Sequence, residues 1–184
     1  MTSSKTLSLA DITALFHARG AVQYGQESVT QQQHALQCAW LAELGGASPE
    51  LVSAALLHDV GHLLPPRPSS RAGDGNDLHE YLALPALRGT FGEAVLAPIR
   101  MHVDAKRYLC HVDGAYWQTL SPASQHSLER QGGVFSAAEA SAFIAQPFAR
   151  DAVALRQWDD QAKNPAATPP GWTHYLGILA QAQA

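Results

Sequence analysis

The sequence predicts an all-α helical bundle, and three observations carry that prediction. Apolar residues recur at three- and four-residue spacing through most of the 184 positions, while the period-two alternation of strands is almost absent. Ser or Thr starts with Asp, Gln or Pro close behind precede several of these runs, and Gly follows them. At 46% apolar and 15% charged residues, the composition suits a compact globule rather than a disordered chain. A chain of this length can bury one good core, so a single domain over 1–184 is the expectation.

The elements follow in order. Ser8 with Asp11 three residues on predicts a first helix, ended by Gly20. Thr30 and Gln33 form a second capping signature, for a helix that stops at Gly45-Gly46. Ser48-Pro49 opens a third, with Pro in the first helical position, expected to run through about Leu64. The stretch PPRPSSRAGDGN (65–76) is too rich in Pro, Gly and Ser for a helix and reads as a long loop able to cover a site. Further helices are expected at about 77–88, 92–108, 121–131, 136–146, 147–162 and 171–183, punctuated by Gly132-Gly133 and Pro147, with an irregular segment near 109–120.

Charge and targeting narrow the function. A formal net charge of −4 offers no electrostatic footprint for nucleic acid. No stretch approaches the roughly 20 apolar residues of a membrane span. The opening MTSSKTLSLADITALFHARG has no apolar run with a cleavage site behind it, so a cytoplasmic address is expected. No partner protein is indicated. Cys38 and Cys110 lack metal-ligand spacing and read as free thiols.

The departure from expectation is nine histidines, and above all AALLHDVGHLL (54–64), where His58, Asp59 and His62 interrupt an apolar helix. Polar groups removed from water without partners cost several kcal/mol, about 2–7 each. Leu51, Ala54, Ala55 and His58 share one stripe, with Asp59 about 100° round and His62 one turn beyond His58. On the preceding helix His34, Cys38 and Leu41 share the inward face. His34, His58 and Asp59 are thus aimed at one interior region, and imidazole with carboxylate suits iron, manganese, zinc or nickel. A single His or Asp on an apolar face is usually a satisfied core residue, but three candidate ligands converging point to a metal. His79, with Leu82 and Ala83 at helical spacing, and His102, among Pro98, Ile99 and Met101, are further candidates, as is Asp159 after Val153 and Leu155. His17, His111, His126 and His174 are expected to be surface or structural residues.

His34…His58-Asp59…Asp159 resembles the H…HD…D signature of the HD-domain superfamily. That resemblance implies an HD-domain helical bundle with a dinuclear metal site in its centre. His34, His58, Asp59 and Asp159 would hold one metal, and Asp59, His79 and His102 the other. The segments YGQE (24–27), QHALQCAWLAE (33–43), AALLHDVGH (54–62), HVDAKRYL (102–109), SPASQHSLERQGG (121–133) and LRQWDDQAK (155–163) are similar, in the same order, to the 1-hydroxyphosphonate dioxygenases of that superfamily.

The resemblance implies two iron ions as a mixed-valent Fe(II)/Fe(III) pair, O2 as co-substrate, and a small organophosphonate as the binding partner. It implies oxidative C–P cleavage of a 1-hydroxy-2-(amino or trimethylammonio)ethylphosphonate, giving phosphate and glycine or glycine betaine. Lys106, His62 and Ser124 would bind the phosphonate, and Arg156 matches a family position. Tyr24 and Glu27 would meet the head group, with Tyr24 able to occupy an iron in the resting form. Tyr24, Tyr108, Tyr116 and Trp117 could form an aromatic cage for a methylated head. The rivals are an HD phosphohydrolase acting on a nucleotide or phosphomonoester, and a catalytically silent HD module.

Overall fold

A computed structural model describes residues 6–65 and 79–184, with the side chains of 79–82 outside that description. The described residues form helices α1 (Leu9–Arg19), α2 (Gln31–Leu44), α3 (Pro49–Leu57), α4 (His79–Leu87), α5 (Glu93–Val112), α6 (Tyr116–Thr119), α7 (Pro122–Arg130), α8 (Ala137–Ile144), α9 (Ala149–Gln161) and α10 (Trp172–Gln181). Among them no strand forms, and the extended pairings are two isolated bridges, Gln23 with Thr30 and Phe91 with Gln183. The all-α expectation holds. The loop expected at 65–76 lies outside the described residues except for Pro65.

Local chemistry accounts for the helix starts. Ser8 accepts from the Asp11 amide at 3.1 Å while Asp11 accepts from the Ser8 amide at 3.0 Å, which satisfies two donors that a helix leaves open. Thr30 with Gln33, and Ser136 with Glu139, repeat this reciprocal cap for α2 and α8. Ser48 and Ser121 cap α3 and α7, each followed by Pro in the first turn.

One boundary differs from the sequence reading in a way that matters. The helix expected to run to Leu64 ends at Leu57; His58 caps it, Asp59 leaves helical geometry at φ −102°, ψ 10°, and Val60–Leu63 form a single 3-10 turn. In a continuous helix His58 and Asp59 would diverge by about 100°. The break lets both side chains face the same interior point.

Helix α5 packs against α3 and α9, while α2 lies across α3 and α9. The main core gathers Phe16, Leu56, Leu57, Leu87, Ile99 and Tyr175, all nearly inaccessible. A smaller one sets Met101 of α5 against Phe135, Phe143 of α8 and Ala152 of α9. Between these layers, where α2, α3, α5 and α9 meet, most of the buried polar residues collect: His34, His58, Asp59, His102, Lys106, Arg156 and Asp159. Buried polar groups scattered through a core would each need separate compensation, so their concentration marks a site.

Candidate active site

Three imidazoles are anchored in the same manner. His34 Nδ1 lies 2.9 Å from the Ala162 carbonyl, His58 Nδ1 2.9 Å from the Ala55 carbonyl, and His102 Nδ1 2.7 Å from the Ile99 carbonyl. A carbonyl only accepts, so each Nδ1 carries the proton and each Nε2 presents a lone pair to the interior. That is the tautomer a metal-ligating histidine needs.

The carboxylates meet those nitrogens. His34 Nε2 is 3.4 Å from His58 Nε2 and 3.3 Å from Asp159 Oδ1. His58 Nε2 is 3.4 Å from Asp59 Oδ2 and 3.9 Å from Asp159 Oδ1. Donors bound at 2.0–2.2 Å to one ion stand about 3.0–3.5 Å apart, so this quartet is close to the spacing that a single cation would set. The other oxygen, Asp59 Oδ1, is 3.9 Å from both His102 Nε2 and His62 Nε2. Asp59 therefore spans two donor groups, one oxygen toward each. His79 opens α4, and its side chain lies outside the described residues.

The electrostatics also call for a cation. Burial alone would lower the His58 pKa, yet the Asp59 and Asp159 carboxylates outweigh it and raise it. Burial and the same two carboxylates push the Tyr24 phenol and the Cys38 thiol well above their ordinary values. Asp159 runs the other way: burial would raise it, but the Arg156 guanidinium, 2.7 Å from Oδ2, holds it well below the usual carboxylate range. The centre thus retains negative charge and draws positive charge inward.

Above this cluster opens a cleft of about 280 Å³, near the lower end of the roughly 300–1,000 Å³ usual for small-molecule sites. Its walls include Asp59, His62, His102, Lys106, Ser124, Arg156 and Asp159, together with Tyr24 and Glu27 from the loop between α1 and α2. That loop turns on Gly25 at φ +54°, where a side chain would be strained, and the Tyr24 carbonyl accepts from the Glu27 amide at 2.9 Å. The Tyr24 ring stacks on His34 at 3.8 Å, and its hydroxyl lies 3.5 Å from Asp159 Oδ1.

Lys106, one turn after His102 on α5, is 2% exposed and donates to Ser127 Oγ and Gln131 Oε1, both at 2.7 Å. Burial and the nearby Arg156 bring its pKa down to about 8. Arg156 is buried as well, bound to Asp159, to Asp160 and, at 3.5 Å through Nη2, to Ser124 Oγ. Tyr116 donates to the same Asp160 carboxylate.

Of the six expected metal ligands and the five expected substrate groups Lys106, His62, Ser124, Tyr24 and Glu27, all but His79 have described side chains, and those ten lie in this cluster or its cleft. The expected aromatic cage does not assemble. Tyr108 packs on Phe143, Tyr116 is bound to Asp160, and Trp117 sits with Leu120 and Leu128 in a separate apolar cluster, leaving Tyr24 as the aromatic residue of the cleft wall among the described residues. His17, His111, His126 and His174 are exposed, as expected.

Several contributors escaped the sequence reading. Cys38 reads from sequence as an ordinary free thiol, yet its Sγ lies 3.6 Å from His34 Nε2 and within the same donor group as His34 and His58. Ser127 and Gln131 cradle Lys106, and they follow Ser124 at positions i+3 and i+7, a helical periodicity that would have singled them out. Lys163 lines the cleft and follows Asp159 at i+4.

No protein-family model matches the chain. Hydroxymethylphosphonate dioxygenase of Gimesia maris is 46% identical over 153 residues, covering 81% of this chain and 75% of the relative. The 1-hydroxy-2-(trimethylamino)ethylphosphonate dioxygenase (glycine-betaine-forming) of Leisingera caerulea is 36% identical over 169 residues, covering 91% and 86%. An uncharacterized protein of Acanthamoeba polyphaga mimivirus is 35% identical over 155 residues, covering 83% and 71%.

Proposed function

The chain belongs to the hydroxyalkylphosphonate dioxygenases, and on that premise we propose that its buried His/Asp cluster is a di-iron centre at which O2 cleaves the C–P bond of a 1-hydroxyalkylphosphonate. The observation that carries the reading is the placement of Asp59 between two donor groups, beneath a cleft that holds a buried lysine. His34, His58, Asp59 and Asp159 would hold one iron, and Asp59 with His102 the other, where the sequence also expects His79, whose side chain lies outside the described ones. Donor chemistry fits such ions, since imidazole nitrogen and carboxylate oxygen suit Fe(II) and Fe(III). Bound there, a mixed-valent pair supplies the one-electron chemistry that O2 needs to react with a C–H bond.

The chain's own groups do the rest. Lys106, His62, Ser124 and Arg156 receive the phosphonate oxygens, with Lys106 the buried cation that meets neutral partners, Ser127 and Gln131, rather than a carboxylate. This places the dianion at the wall of the cleft and leaves the carbinol carbon facing Asp59. Tyr24, stacked on His34 with its hydroxyl at Asp159, sits over the first donor group and keeps water from it until substrate enters. Glu27 lies on the head-group side. The reaction balances without an external reductant: R–CH(OH)–PO3²⁻ and O2 give RCOO⁻, HPO4²⁻ and H⁺, with the C–H and C–P bonds broken and both oxygen atoms retained in the products. The substrates range over a plain, amino or trimethylammonio head, the last two yielding glycine and glycine betaine.

A phosphohydrolase acting on a nucleotide or phosphomonoester is the reading that this proposal displaces. The deciding experiment loads the purified chain anaerobically with iron and measures metal content and electron paramagnetic resonance with and without hydroxymethylphosphonate. Two irons per chain and a mixed-valent signal altered by the phosphonate support the proposal. A single metal, or release of phosphate from phosphomonoesters without O2, would overturn it.

A further inference from the structure

We propose that Asp160 and Tyr116 are positioning residues: they hold the Arg156 guanidinium by its side edge, so that the donors at its end face the phosphonate. The inference rests on the dioxygenase reading and adds two residues to its substrate seat. On α9, Asp159 and Asp160 follow Arg156 at i+3 and i+4, which brings both carboxylates within reach of one guanidinium. Asp159 takes Nη1, which lies 2.7 Å from its Oδ2. Asp160 takes the side edge as a fork, Oδ1 accepting from Nη2 and Oδ2 accepting from Nε at 3.3 Å. Tyr116 closes the arrangement from α6: its hydroxyl accepts from Nε at 3.4 Å and donates to Asp160 Oδ2. A guanidinium carries five N–H donors in a fixed plane. Three of them are taken by these partners, and one remains on each Nη nitrogen. Nη2 reaches only Ser124 Oγ, at 3.5 Å, a long contact that a phosphonate oxygen can replace.

Arg156, Asp159 and Ser124 line the cleft, while Asp160 and Tyr116 stand behind them, outside its wall. The pair therefore acts on substrate through Arg156. Asp159 alone would fix the guanidinium poorly, because a bond through Nη1 leaves the planar group free to turn about it. It also has a second duty, since its Oδ1 lies 3.3 Å from His34 Nε2 and 3.9 Å from His58 Nε2. A guanidinium released from Asp160 could close its fork on Asp159 instead, which would draw that carboxylate from the imidazoles and the donors from the cleft. The Asp160 fork sets the plane and prevents this. Tyr116 is itself held firmly: it is 8% exposed and packs with Leu109, Leu120 and Leu128. The four-residue helix α6, in a stretch the sequence reads as irregular, thus supplies a fixed stop for a side chain of α9.

The test measures the anaerobic Kd of hydroxymethylphosphonate by calorimetry, with iron content, in the iron-loaded wild type, Asp160→Asn, Tyr116→Phe, Arg156→Lys and the Arg156→Lys/Asp160→Asn double variant. Thermal denaturation confirms that each is folded, and Tyr116→Phe, which keeps the ring in its apolar cluster, is the milder probe. Asp160→Asn should raise Kd by roughly 10- to 100-fold, about the worth of one charge-assisted hydrogen bond, and Tyr116→Phe by roughly 2- to 10-fold. Iron content should match that of the wild type. Arg156→Lys keeps the charge and loses the fork, so adding Asp160→Asn to it should change Kd by less than about twofold; a merely structural role would instead multiply the two losses. A folded Asp160→Asn variant that binds within twofold of wild type, a multiplied loss in the double variant, or a loss of iron in place of phosphonate affinity would each overturn the inference. Turnover is scored separately: if the wild type binds the phosphonate but yields no phosphate with O2, the dioxygenase reading fails while the Kd comparison still decides the role of Asp160 and Tyr116.

Discussion

Replacing Lys106 with Met is predicted to stabilise the fold while disabling the reaction. Lys106 is 2% exposed, and burial beside Arg156 lowers its pKa from the ordinary 10.5 to about 8. At 1.36 kcal/mol per pH unit, holding the ammonium in place at pH 7 costs about 3 kcal/mol of stability. Met retains an unbranched stem of similar length with no charge to desolvate. Its neighbours are not stranded, because Ser127 still donates to Gln131 Oε1 at 3.0 Å and both line the cleft. Allowing for partial hydration from the cleft, the gain is about 1–3 kcal/mol, or a Tm rise of about 3–10 °C for a chain of this size. The phosphonate meanwhile loses a charge-assisted hydrogen bond worth about 1.5–3 kcal/mol, a drop of roughly 10- to 150-fold in kcat/KM. Calorimetry of the metal-loaded protein and O2 uptake with hydroxymethylphosphonate measure the two effects. A lower Tm together with kcat/KM within twofold of wild type would refute the role given to this lysine.

Further outcomes follow from the same geometry. Because the Lys106 ammonium exists below about pH 8 and is lost above it, wild-type kcat/KM should fall as pH rises through 8. The stability advantage of Lys106→Met should narrow between about pH 8 and 10.5, where the unfolded lysine is still protonated and the folded one is not. Asp59→Ala should lose both irons by colorimetric assay, whereas His102→Ala should lose one and keep the other, each with activity reduced at least about 100-fold. Removing iron with a chelator should lower Tm, since an ion bound by the folded cluster alone stabilises it by mass action. Ser48→Ala deletes the cap on the Leu51 amide, and should cost about 1 kcal/mol with kcat unchanged, read as a Tm drop at constant turnover.

Much of the scaffold was legible because helix starts are written in local chemistry. The Ser8/Asp11 and Thr30/Gln33 boxes and the Ser48-Pro49 start each act over three or four residues, and each forms as expected. The break after Leu57 was hidden, since AALLHDVGHLL satisfies helical spacing throughout. What ends the helix is tertiary: two consecutive side chains must reach one centre, which a regular helix forbids. The same residues therefore revealed the site and concealed its geometry. The aromatic cage failed for the opposite reason. Tyr108, Tyr116 and Trp117 are near the cleft in sequence, but which face each turns inward is decided by Phe143, Asp160 and Leu128. The Glu27–Lys163 ion pair, at 3.2 Å, was hidden in the same way, because its two members lie far apart in sequence.

The most direct test of the account is a titration with O2. Iron-loaded protein and excess hydroxymethylphosphonate are mixed without oxygen, and measured pulses of O2 are admitted. The account predicts no phosphate before the first pulse, then one phosphate and one formate for each O2 consumed. Phosphate released in the anaerobic mixture would contradict it, because water rather than O2 would then be cleaving the bond.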